Sequence, residues 1–443
     1  VNRGTLEIVD NTEEADGKIL NTNSMGVQNF SNMTITKGTI EAKSYGIYND
    51  SGDLTIGIED NNVTNMPMIK SESYGIYKSE RSPSISMFDG TIIGKQVQNS
   101  IIDRTEEEYK VYSYKEDEYY KTVVIELSPM AKIGDKETNL IEAIALAQEG
   151  DTIEILRDIQ VKETITIPKD KNITIDLQKF QISVKSSATN LDAILENNGT
   201  LNLIGDKQDY YNSGCIYNKA TTGGTVINNG TFRLNAYIKK DNSSVNPLIN
   251  NGKFELLGGG IVSSAGTALI NNGTFDMQSG DIDWGSGTSY NGSYMIENNA
   301  QFSMSGGHIE SFTRGSAIIN RDGGTLDLKS GDIEADEYNI YNDSNNALSI
   351  KGAIKFETEW SDYWRASDAS AIYNNTDADI NVEGLTIQGK FVYGIYNKKN
   401  GNVNISNKAN IDISSSNYSY GIYNNGTGNI NISGESIISA KNG

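Results

Sequence analysis

The feature that most constrains this chain is a short unit that recurs from about residue 195 towards its end. Each copy places an aliphatic residue two positions before an asparagine, as Leu269 precedes Asn271. Successive asparagines lie 21 to 32 residues apart. A unit of this length cannot bury its own apolar face, so consecutive copies must stack as the coils of a solenoid. The asparagines of this column are Asn197, Asn228, Asn250, Asn271, Asn298, Asn320, Asn342, Asn374, Asn397 and Asn424.

Three short strands are predicted within each copy. The first strand contains the aliphatic residue and the asparagine. The second strand alternates apolar and polar residues, as at Phe275 and Met277. The third strand has the pattern Gly-x-Ile, as at Ile282. Alternation with a period of two places these apolar side chains on one inward face. The Asn and Gly residues between the first two strands are typical of turns, because they tolerate left-handed backbone conformations.

The asparagine column is predicted to be structural. Stacked coils would bring each asparagine side chain to within about 4.8 Å of the next, which is the spacing of hydrogen-bonded strands. Buried amides at this spacing can bond to one another and to the carbonyl groups of the turns. Such bonds satisfy backbone groups that a tight corner otherwise leaves unpaired.

The aliphatic stack, the asparagine column, the three strands per coil and turns such as NNGTF resemble right-handed parallel β-helices of the pectin-lyase-like class. The closest resemblance is to the adhesive, non-catalytic β-helices of large surface proteins in Gram-positive bacteria. It covers nearly the whole chain. It implies an all-β, right-handed parallel β-helix at the bacterial cell surface. The activity stays open, because function on such a scaffold depends on sites added to the fold.

The amino-acid composition limits the classes of ligand and cofactor that the chain can bind. The 443 residues carry a net charge of −21, which argues against nucleic-acid binding because that function needs a basic face. Cys215 is the single cysteine, so no internal disulfide can form and packing must hold the fold together. With one cysteine and one histidine, a transition-metal cofactor is not expected.

The sequence shows no signal peptide, transmembrane run or wall-sorting tail, and insertion of this segment into a membrane is not expected. Residues 1–8 match only half of a coil, and Gly443 precedes an expected anchor. We therefore expect a fragment of a longer protein, whose other domains are among its partners.

Two solenoids in series are predicted. Residues 1–127 are interpreted as the C-terminal part of a first β-helix, with the anchors Val27, Ile47 and Ile76. Within this part, apolar and charged residues alternate along residues 105–127, on both sides of a polar KEDE segment. This pattern predicts a β-hairpin. Such a hairpin would cap the last coil and cover an edge that otherwise invites association.

Residues 128–137 are interpreted as a linker, and residues 138–443 as a second β-helix that is truncated at its C-terminal end. A capping helix is predicted at 138–148, where Leu140, Ile141 and Ile144 share one face. Asn139 can cap its beginning, and Gly150 lies where a helix would stop. This helix is expected to close the end of the solenoid rather than to bind a partner.

Two columns of ionisable side chains are predicted to flank the inward isoleucines of the third strands. Like charges stacked at strand spacing raise each other's pKa or bind a cation. A solvated acidic stripe is favoured, with a calcium site and the paired carboxylates of a sugar-cleaving enzyme as alternatives. No Arg or Lys base with clustered ligands recurs on this face, and Arg314 is near it in sequence only, so the match to a hydrolase is poor. One column holds Asp281, His308 and Asp332, and the other holds Asp283, Glu310 and Glu334.

Insertions between the third strand and the next anchor carry large aromatic residues. Insertions at one corner of a solenoid are commonly its binding loops, and exposed Trp and Tyr stack on sugar rings or anchor protein interfaces. The alternative, that these rings fold back over the flank of the coil, is slightly favoured. The candidate ligand-binding residues are Trp284, Trp360, Tyr363, Trp364, Tyr210 and Tyr211.

A tyrosine column is predicted on the first strands. The equivalent position accepts Glu196 and Glu297, so these tyrosines are expected to point outward as an exposed aromatic ladder. Stacking between neighbouring strands would make their role structural rather than ligand-binding. The column comprises Tyr341, Tyr373, Tyr396 and Tyr423, with Tyr48 and Tyr77 in the first solenoid.

These patterns together predict an extracellular, non-enzymatic adhesin or cell-surface scaffold that binds a glycan or a protein receptor on another surface through its aromatic corner loops. A polysaccharide lyase or glycosidase acting at the acidic columns is the first alternative. A rigid spacer without a ligand is the second. No cofactor is predicted, apart from calcium as a candidate ligand of the acidic columns.

Overall fold

The computed structural model describes the chain except for certain short segments. The residues not described are 10–16, 60–65, 83, 97–100, 106–108, 128, 185–190, 207–213, 221, 242–245, 265, 286–293, 312–314, 359–366, 415, 417 and 443, together with the side chain of residue 126.

The fold is a β-solenoid of about 16 turns, with 56% of the residues in strands and 2% in helix. The prediction of an all-β parallel solenoid with three strands per coil is therefore confirmed. The chain divides into two compact units, Val1–Met130 and a second unit of Ala131–Val184 with Ala188–Gly443.

The first unit consists of three sheets. The asparagine-bearing sheet has three strands, the second sheet has five, and the third has six, two of which form a hairpin. The strands of the asparagine-bearing sheet are Val27–Asn29, Tyr45–Asn49 and Tyr74–Lys78. The strands of the five-stranded sheet are Leu6–Ile8, Met33–Ile35, Leu54–Ile56, Ile85–Met87 and Ile101–Asp103. The strands of the six-stranded sheet are Lys18–Asn21, Thr39–Ala42, Met68–Ser71, Thr91–Gly94, Tyr109–Glu116 and Tyr119–Glu126.

The second unit has one sheet of first strands, which we call the anchor sheet because it carries the asparagine column. Its eleven strands run in chain order and pair in parallel. They are Ile165–Ile167, Leu195–Asn197, Val226–Asn228, Leu248–Asn250, Leu269–Asn271, Tyr294–Asn298, Ser316–Asn320, Tyr338–Asn342, Ser370–Asn374, Tyr393–Asn397 and Tyr420–Asn424.

The remaining two faces of the second unit are joined into one sheet of 22 strands, because some strands run continuously through the corner between them. These strands are Ala131–Ile133, Lys136–Thr138, Thr152–Ile155, Ile159–Val161, Asn172–Asp176, Gln181–Val184, Thr200–Ile204, Cys215–Asn218, Thr231–Lys240, Lys253–Ser263, Thr274–Met277, Asp281–Trp284, Gln301–Met304, His308–Glu310, Thr325–Glu334, Leu348–Glu357, Ile380–Glu383, Thr386–Gln388, Val403–Ser406, Asn410–Asp412, Ile430–Ile432 and Ile437–Ser439.

The core of the second unit is a set of stacked inward side chains. Phe232, Phe254, Phe275 and Phe302 lie on successive coils, with centroid distances of 5.0, 5.0 and 5.4 Å between neighbouring rings. All four are fully buried. Because a parallel register places equivalent residues side by side, one alternating strand pattern repeated in sequence becomes a continuous apolar stack.

The N-terminal end of the second unit is closed by the single helix of the described residues, Leu140–Leu146, within the predicted range. The Asn139 side chain accepts a hydrogen bond from the backbone N–H of Glu142, as an N-cap does. Part of the predicted linker is structured, since Ala131–Ile133 pairs antiparallel with both Lys136–Thr138 and Thr152–Ile155.

The predicted hairpin of the first unit consists of Tyr109–Glu116 and Tyr119–Glu126. Its second strand pairs antiparallel with Thr91–Gly94, the last parallel strand of the six-stranded sheet. Val124 is buried against the core of this unit. The hairpin thus covers a sheet edge, which is the role that its polar and apolar alternation predicts.

The asparagine column forms a continuous hydrogen-bonded ladder across the second unit. Each Nδ2 donates to the Oδ1 of the asparagine on the next coil, at 2.8 to 3.0 Å from Asn197 through to Asn424. The same amides also donate to turn carbonyls, as Asn271 does to Gln301. The predicted structural role of the column is confirmed.

A shorter ladder of the same kind runs through the first unit. Asn2 donates to Asn29, and Asn29 donates to Asn49. The next coil carries Lys78 at the equivalent position, and there Asn49 donates to the hydroxyl of Ser82 at 2.5 Å. A hydroxyl from the turn therefore replaces the missing amide as the acceptor.

A second ladder, which the sequence reasoning missed, lies one residue further along each turn. Asn229 donates to Asn198, Asn251 to Asn229, Asn272 to Asn251, and Asn299 to Asn272, at 2.9 to 3.0 Å. These exposed amides donate towards the N-terminus, which is opposite to the buried ladder. The repeated Asn-Asn dipeptide is the signal that could have revealed it.

The glycine that follows the asparagine pair in four of these turns is required by the stacking. A Cβ at Gly273 would lie 2.1 Å from the carbonyl oxygen of Gly252 on the preceding coil. These four turns can therefore stack at strand spacing only without a side chain at this position, whereas Ala300 follows the pair of Asn298 and Asn299.

Replacing one rung of the buried ladder should destabilise the second unit. Asn271→Ala leaves Asn250 without its acceptor and Asn298 without its donor, so we expect the free energy of unfolding to fall by about 2–3 kcal/mol. Urea denaturation would measure the change. The matched control is Asn272→Ala in the exposed ladder, where water can replace the lost bonds and the loss should stay below about 1 kcal/mol. Equal losses in the two variants would contradict this assignment.

Lys240 is a buried cation that the sequence reasoning did not single out. Its side chain is 1% exposed, and its Nζ donates to the carbonyl oxygen of Ala220 at 2.5 Å. Burial lowers the pKa of Lys240 to about 8, against the opposing effect of the nearby Asp241 charge. The unfolded chain therefore binds this proton more tightly than the folded chain does.

The free energy of unfolding should consequently rise with pH across the Lys240 transition. Between about pH 8 and pH 10 the folded state releases the proton while the unfolded state keeps it, so the stability cost of the buried charge disappears. We expect wild type to gain on the order of 1–3 kcal/mol relative to Lys240→Met over this interval. Parallel urea titrations at several pH values would measure it, and a pH-independent difference between the two proteins would contradict it.

Candidate binding surfaces

The outward face of the anchor sheet carries a cluster of tyrosines, which we call the tyrosine surface. The register places the four predicted column members side by side, from Tyr341 to Tyr423. A second file of tyrosines stands beside them, at the beginning of the same strands. The complete surface comprises Tyr294, Tyr338, Tyr341, Tyr373, Tyr393, Tyr396, Tyr420 and Tyr423.

The rings of the tyrosine surface contact one another along and across the strands. Tyr341 and Tyr373 stack with centroids 5.0 Å apart and 9° between their planes. Tyr373 and Tyr396 meet edge to face at 4.9 Å, as do Tyr396 and Tyr423 at 5.1 Å. Aromatic pairs in these geometries attract one another beyond the area that they bury. The surface is therefore held in place without a ligand.

Exposure varies along this column more than expected. Tyr373 is only 4% exposed, whereas Tyr423 is 37% exposed. The expectation of a uniformly exposed ladder is therefore wrong at Tyr373. The rings of Tyr338, Tyr341 and Tyr396 surround it, and a cation approaches its face.

The second file, which the sequence reasoning missed, alternates tyrosine with serine from Tyr294 to Tyr393 and then places Tyr420 directly beside Tyr393. Tyr294 pairs with Ser316, and Ser370 pairs with both Tyr338 and Tyr393. Both serines are buried, at 1% and 0% exposure. The first residue of motifs such as YGIYN, three positions before the column tyrosine, is the signal that could have identified this file.

Charged groups border the tyrosine surface. The ammonium group of Lys398 lies 5.6 Å from the centroid of the Tyr373 ring, and the Asp368 carboxylate acts on Tyr338. Burial, followed by the influence of the Asp368 carboxylate, holds the pKa of Tyr338 well above its usual range. Burial also raises the pKa of Tyr294 to about 12.

A smaller cluster of the same type occurs in the first unit. Tyr48 and Tyr77 stack at 5.1 Å, and Tyr45 and Tyr74 stand beside them at 5.9 Å from each other. The same YGIYN-type strands therefore produce the same double file in both units.

The acidic columns lie on another face of the second unit, in the arrangement that the alignment predicts. Asp281 pairs with His308, His308 with Asp332, and Glu310 with Glu334. The isoleucines that they flank are fully buried, so the charged side chains lie on the opposite, outward face. The Nε2 atom of His308 lies 3.6 Å from a carboxylate oxygen of Glu310.

The columns continue into the next coil, which the alignment missed. Asp332 pairs with Lys355, and Glu334 pairs with Glu357. Lys355 lies 2.6 Å from Glu357, so this coil adds one lysine to the acidic face. The pairing register shifts between Leu328 and Ser330, and the displaced strand carries a phenylalanine at the inward position. The Gly-x-Ile triplet of that coil, which ends at Ile354, consequently lies two residues out of register with the triplet that ends at Ile333.

Two carboxyl groups of these columns titrate abnormally. Burial, reinforced by the charge of Glu310, raises the pKa of Asp283 to about 6. Burial also raises the pKa of Asp281. A carboxyl group whose pKa is raised towards neutrality can act as a general acid. Among the described residues, no three His, Cys, Asp or Glu side chains are placed to hold a metal ion.

Most of the predicted aromatic ligand residues cannot be placed. Trp360, Tyr363, Trp364, Tyr210 and Tyr211 lie outside the described residues. Trp284 is described and ends the strand Asp281–Trp284, partly buried, with its backbone N–H donating to the Asp283 carboxylate. It is thus next to the acidic columns, and the corner-loop site remains a prediction.

Comparison with known proteins gives no relative. No family model matches the chain, and neither the curated proteins nor the solved structures contain a significant match. Within the part of the chain that is described, no helix has the length and hydropathy needed to cross a membrane.

The pKa of Asp283 should depend on its neighbour Glu310. We expect carbon-detected NMR of the aspartate carboxyl groups to show one transition at about pH 6. Glu310→Gln should lower it, because the substitution removes a nearby negative charge while burial still keeps the pKa above the normal value of about 4. Glu154→Gln, several coils away, is the control. A pKa that Glu310→Gln does not change would contradict this account.

Proposed function

We propose that the chain is a non-catalytic, adhesive β-helix that binds an extended glycan along the tyrosine surface. The observation that supports this proposal is the row of ring faces and edges on the anchor sheet, held in a fixed register by the coils beneath it. Tyrosine offers an apolar face for the C–H groups of a sugar ring and a hydroxyl for its polar groups. Rings that are already ordered lose little entropy when a ligand binds.

The spacing of the second file between Tyr294 and Tyr393 supports an extended rather than a compact ligand. Tyr294, Tyr338 and Tyr393 are each separated by a coil that carries a buried serine. Two coils span about 10 Å. An extended β-linked polysaccharide presents equivalent sugar faces once per disaccharide, which is a comparable length. Successive disaccharides can therefore meet equivalent rings.

The resemblance to pectin-lyase-like adhesive β-helices is the basis for the cellular part of the proposal. On this proposal the chain lies outside a Gram-positive bacterial cell and attaches it to a glycan-bearing surface. The acidic character of the chain, with a net charge of −21, fits a soluble surface that repels copies of itself.

A hydrolase is the second candidate function, because Asp283 has a raised pKa and lies in columns with Asp281 and Glu310. These groups provide both a proton donor and further carboxylates, which sugar cleavage requires. This candidate predicts cleavage products from a bound glycan, and Asp283→Asn should abolish them. The adhesive proposal predicts an intact ligand.

Removing rings from the tyrosine surface should weaken glycan binding. We expect Tyr396→Ala/Tyr423→Ala to reduce the affinity for β-linked oligosaccharides by about tenfold or more, because two ring contacts are lost. Isothermal titration with oligosaccharides of increasing length would measure it, with chromatography of the ligand afterwards to detect cleavage. Affinity should rise with length until the ligand spans the surface.

The control for this experiment is Tyr112→Ala/Tyr114→Ala, which removes a stacked pair from the hairpin of the first unit. Trp360→Ala/Trp364→Ala, measured with calcium present and chelated, tests the corner-loop and calcium predictions in parallel. Absence of glycan binding, or binding that only the tryptophan variant abolishes, would overturn the proposed role of the tyrosine surface.

A further inference from the structure

We propose that the first unit carries a second glycan site, which takes a short, neutral oligosaccharide. This inference rests on the proposed glycan-binding function and extends it to a surface in the other unit of the chain. Two observations support it, namely a compact cluster of four tyrosines and a cavity at the corner that leads into their strands. We call the cluster and the cavity together the first-unit site. Its tyrosines are Tyr45, Tyr48, Tyr74 and Tyr77.

The four rings contact one another on all sides of the cluster. Neighbouring ring centroids lie 5.1 to 5.9 Å apart, and the centroid of Tyr45 lies 5.3 Å from that of Tyr77 across the cluster. Tyr48 and Tyr77 stack with 19° between their planes. All four side chains are half-buried. The ring contacts therefore hold the cluster in place, while part of each ring stays accessible to a ligand.

The register of these strands limits the length of the cluster. Tyr45 pairs with Tyr74 and Tyr48 pairs with Tyr77, so both files occupy two adjacent coils. The preceding coil carries Gln28 in the position of the column tyrosine. A ligand meets rings on two coils that are only about 5 Å apart. The cluster therefore suits a short oligosaccharide, unlike the longer tyrosine surface of the second unit.

A cavity of about 150 Å³ lies at the corner between the six-stranded sheet and the strands that carry the tyrosines. Lys43 and Glu72 line this cavity, and they lie two residues before Tyr45 and Tyr74 respectively. Concave sites with a few polar groups beside apolar surface are the usual places where small ligands bind. The chain thus leads directly from the cavity into the ring cluster on two adjacent coils.

The hairpin of the first unit supplies an aromatic wall of this cavity. Tyr119 lines the cavity, and the ammonium group of Lys95 lies 5.5 Å from the centroid of its ring. Lys95 is also paired with Glu118 at 2.9 Å. Leu20 lines the cavity as well and is 59% exposed. A sugar ring can therefore find an apolar face within the cavity as well as on the tyrosine cluster.

The charges that line the cavity are balanced. Two carboxylates, Glu41 and Glu72, stand with two ammonium groups, Lys43 and Lys70, and Glu41 also pairs with Lys18. Carboxylates accept hydrogen bonds and ammonium groups donate them, whereas a hydroxyl group can do both. A neutral ligand rich in hydroxyl groups can use all four groups, while an ionic ligand meets one like charge for each opposite charge. The lining therefore favours a neutral sugar.

Isothermal titration of the whole chain with β-1,4-linked glucose oligosaccharides, from the disaccharide to the octasaccharide, tests the first-unit site. We expect two classes of binding site. The affinity of one class should stop rising at short ligands, because the cluster spans only two coils. The affinity of the other class should continue to rise with ligand length. A single class that follows length throughout the series would overturn the inference.

The decisive variant is Tyr48→Ala/Tyr77→Ala, which removes the stacked pair from the cluster. The affinity for the trisaccharide should fall by about tenfold or more, because two ring contacts are lost. Tyr48→Phe/Tyr77→Phe keeps the ring faces and should lose only about two- to threefold. The matched control is Tyr112→Ala/Tyr114→Ala, a stacked pair on the hairpin of the same unit. No loss in the decisive variant, or an equal loss in the control, would overturn the inference.

Glu72→Gln tests the contribution of the cavity. The affinity for the trisaccharide should fall by about two- to fivefold, because a charge-assisted hydrogen bond to a sugar hydroxyl becomes a neutral one. Glu7→Gln removes an exposed carboxylate from another sheet of the same unit and is the control. Salt should have little effect on binding, since the ligand is neutral. An unchanged affinity in Glu72→Gln, or tighter binding of a carboxylated trisaccharide, would contradict the proposed role of the cavity.

The two proposals fail in different ways. If no oligosaccharide binds, both fail. If Tyr396→Ala/Tyr423→Ala abolishes all binding and Tyr48→Ala/Tyr77→Ala changes nothing, the proposed function stands and the first-unit site is wrong. If binding depends on Tyr48 and Tyr77 alone, the first-unit site stands and the proposed role of the tyrosine surface is wrong.

Discussion

The structure depends on parallel hydrogen bonding between successive coils, at both the backbone and the asparagine side chains. A corner of a solenoid leaves backbone groups that no strand can satisfy, and the buried amide of each coil supplies the missing bonds while it bonds to the next amide. Ten rungs from Asn197 to Asn424 connect in this way in the second unit. The single cysteine contributes no cross-link, and burial raises its pKa to about 11, so its thiol stays unreactive inside the core.

The same register creates the candidate sites. Each coil alone places one or two tyrosines on a short strand, which would bind a ligand weakly. Stacking brings Tyr341 beside Tyr373, although 32 residues separate them in sequence, and extends the row to Tyr423. The acidic columns arise in the same way on another face, where neighbouring carboxyl groups and burial together raise the pKa of Asp283. Site geometry on this scaffold is thus a property of the repeat, whereas site chemistry depends on which residue occupies each outward position.

The fold could be predicted from the sequence because the inward positions repeat strictly, and the asparagine ladder, the coil pattern, the capping helix and the hairpin all follow from local rules. The sites were less predictable for identifiable reasons. Lys355 and Glu357 joined the acidic columns through a register shift at Leu328 that no alternation pattern shows. The burial of Tyr373 depends on rings from adjacent coils. The types of the outward side chains do not follow the repeat. Their contacts can therefore be identified only from the three-dimensional structure.

The two asparagine ladders have a consequence for how such a chain changes over evolutionary time. Every internal rung is both donor and acceptor, with the same bond to the coil on either side. Removal of one whole coil, such as the segment between Asn250 and Asn271, would bring identical amides together again at the same spacing. Recombination between copies of the repeat can therefore lengthen or shorten the solenoid without creating a new interface. The length of the solenoid and the number of tyrosines on its surface can therefore change together, by one coil at a time.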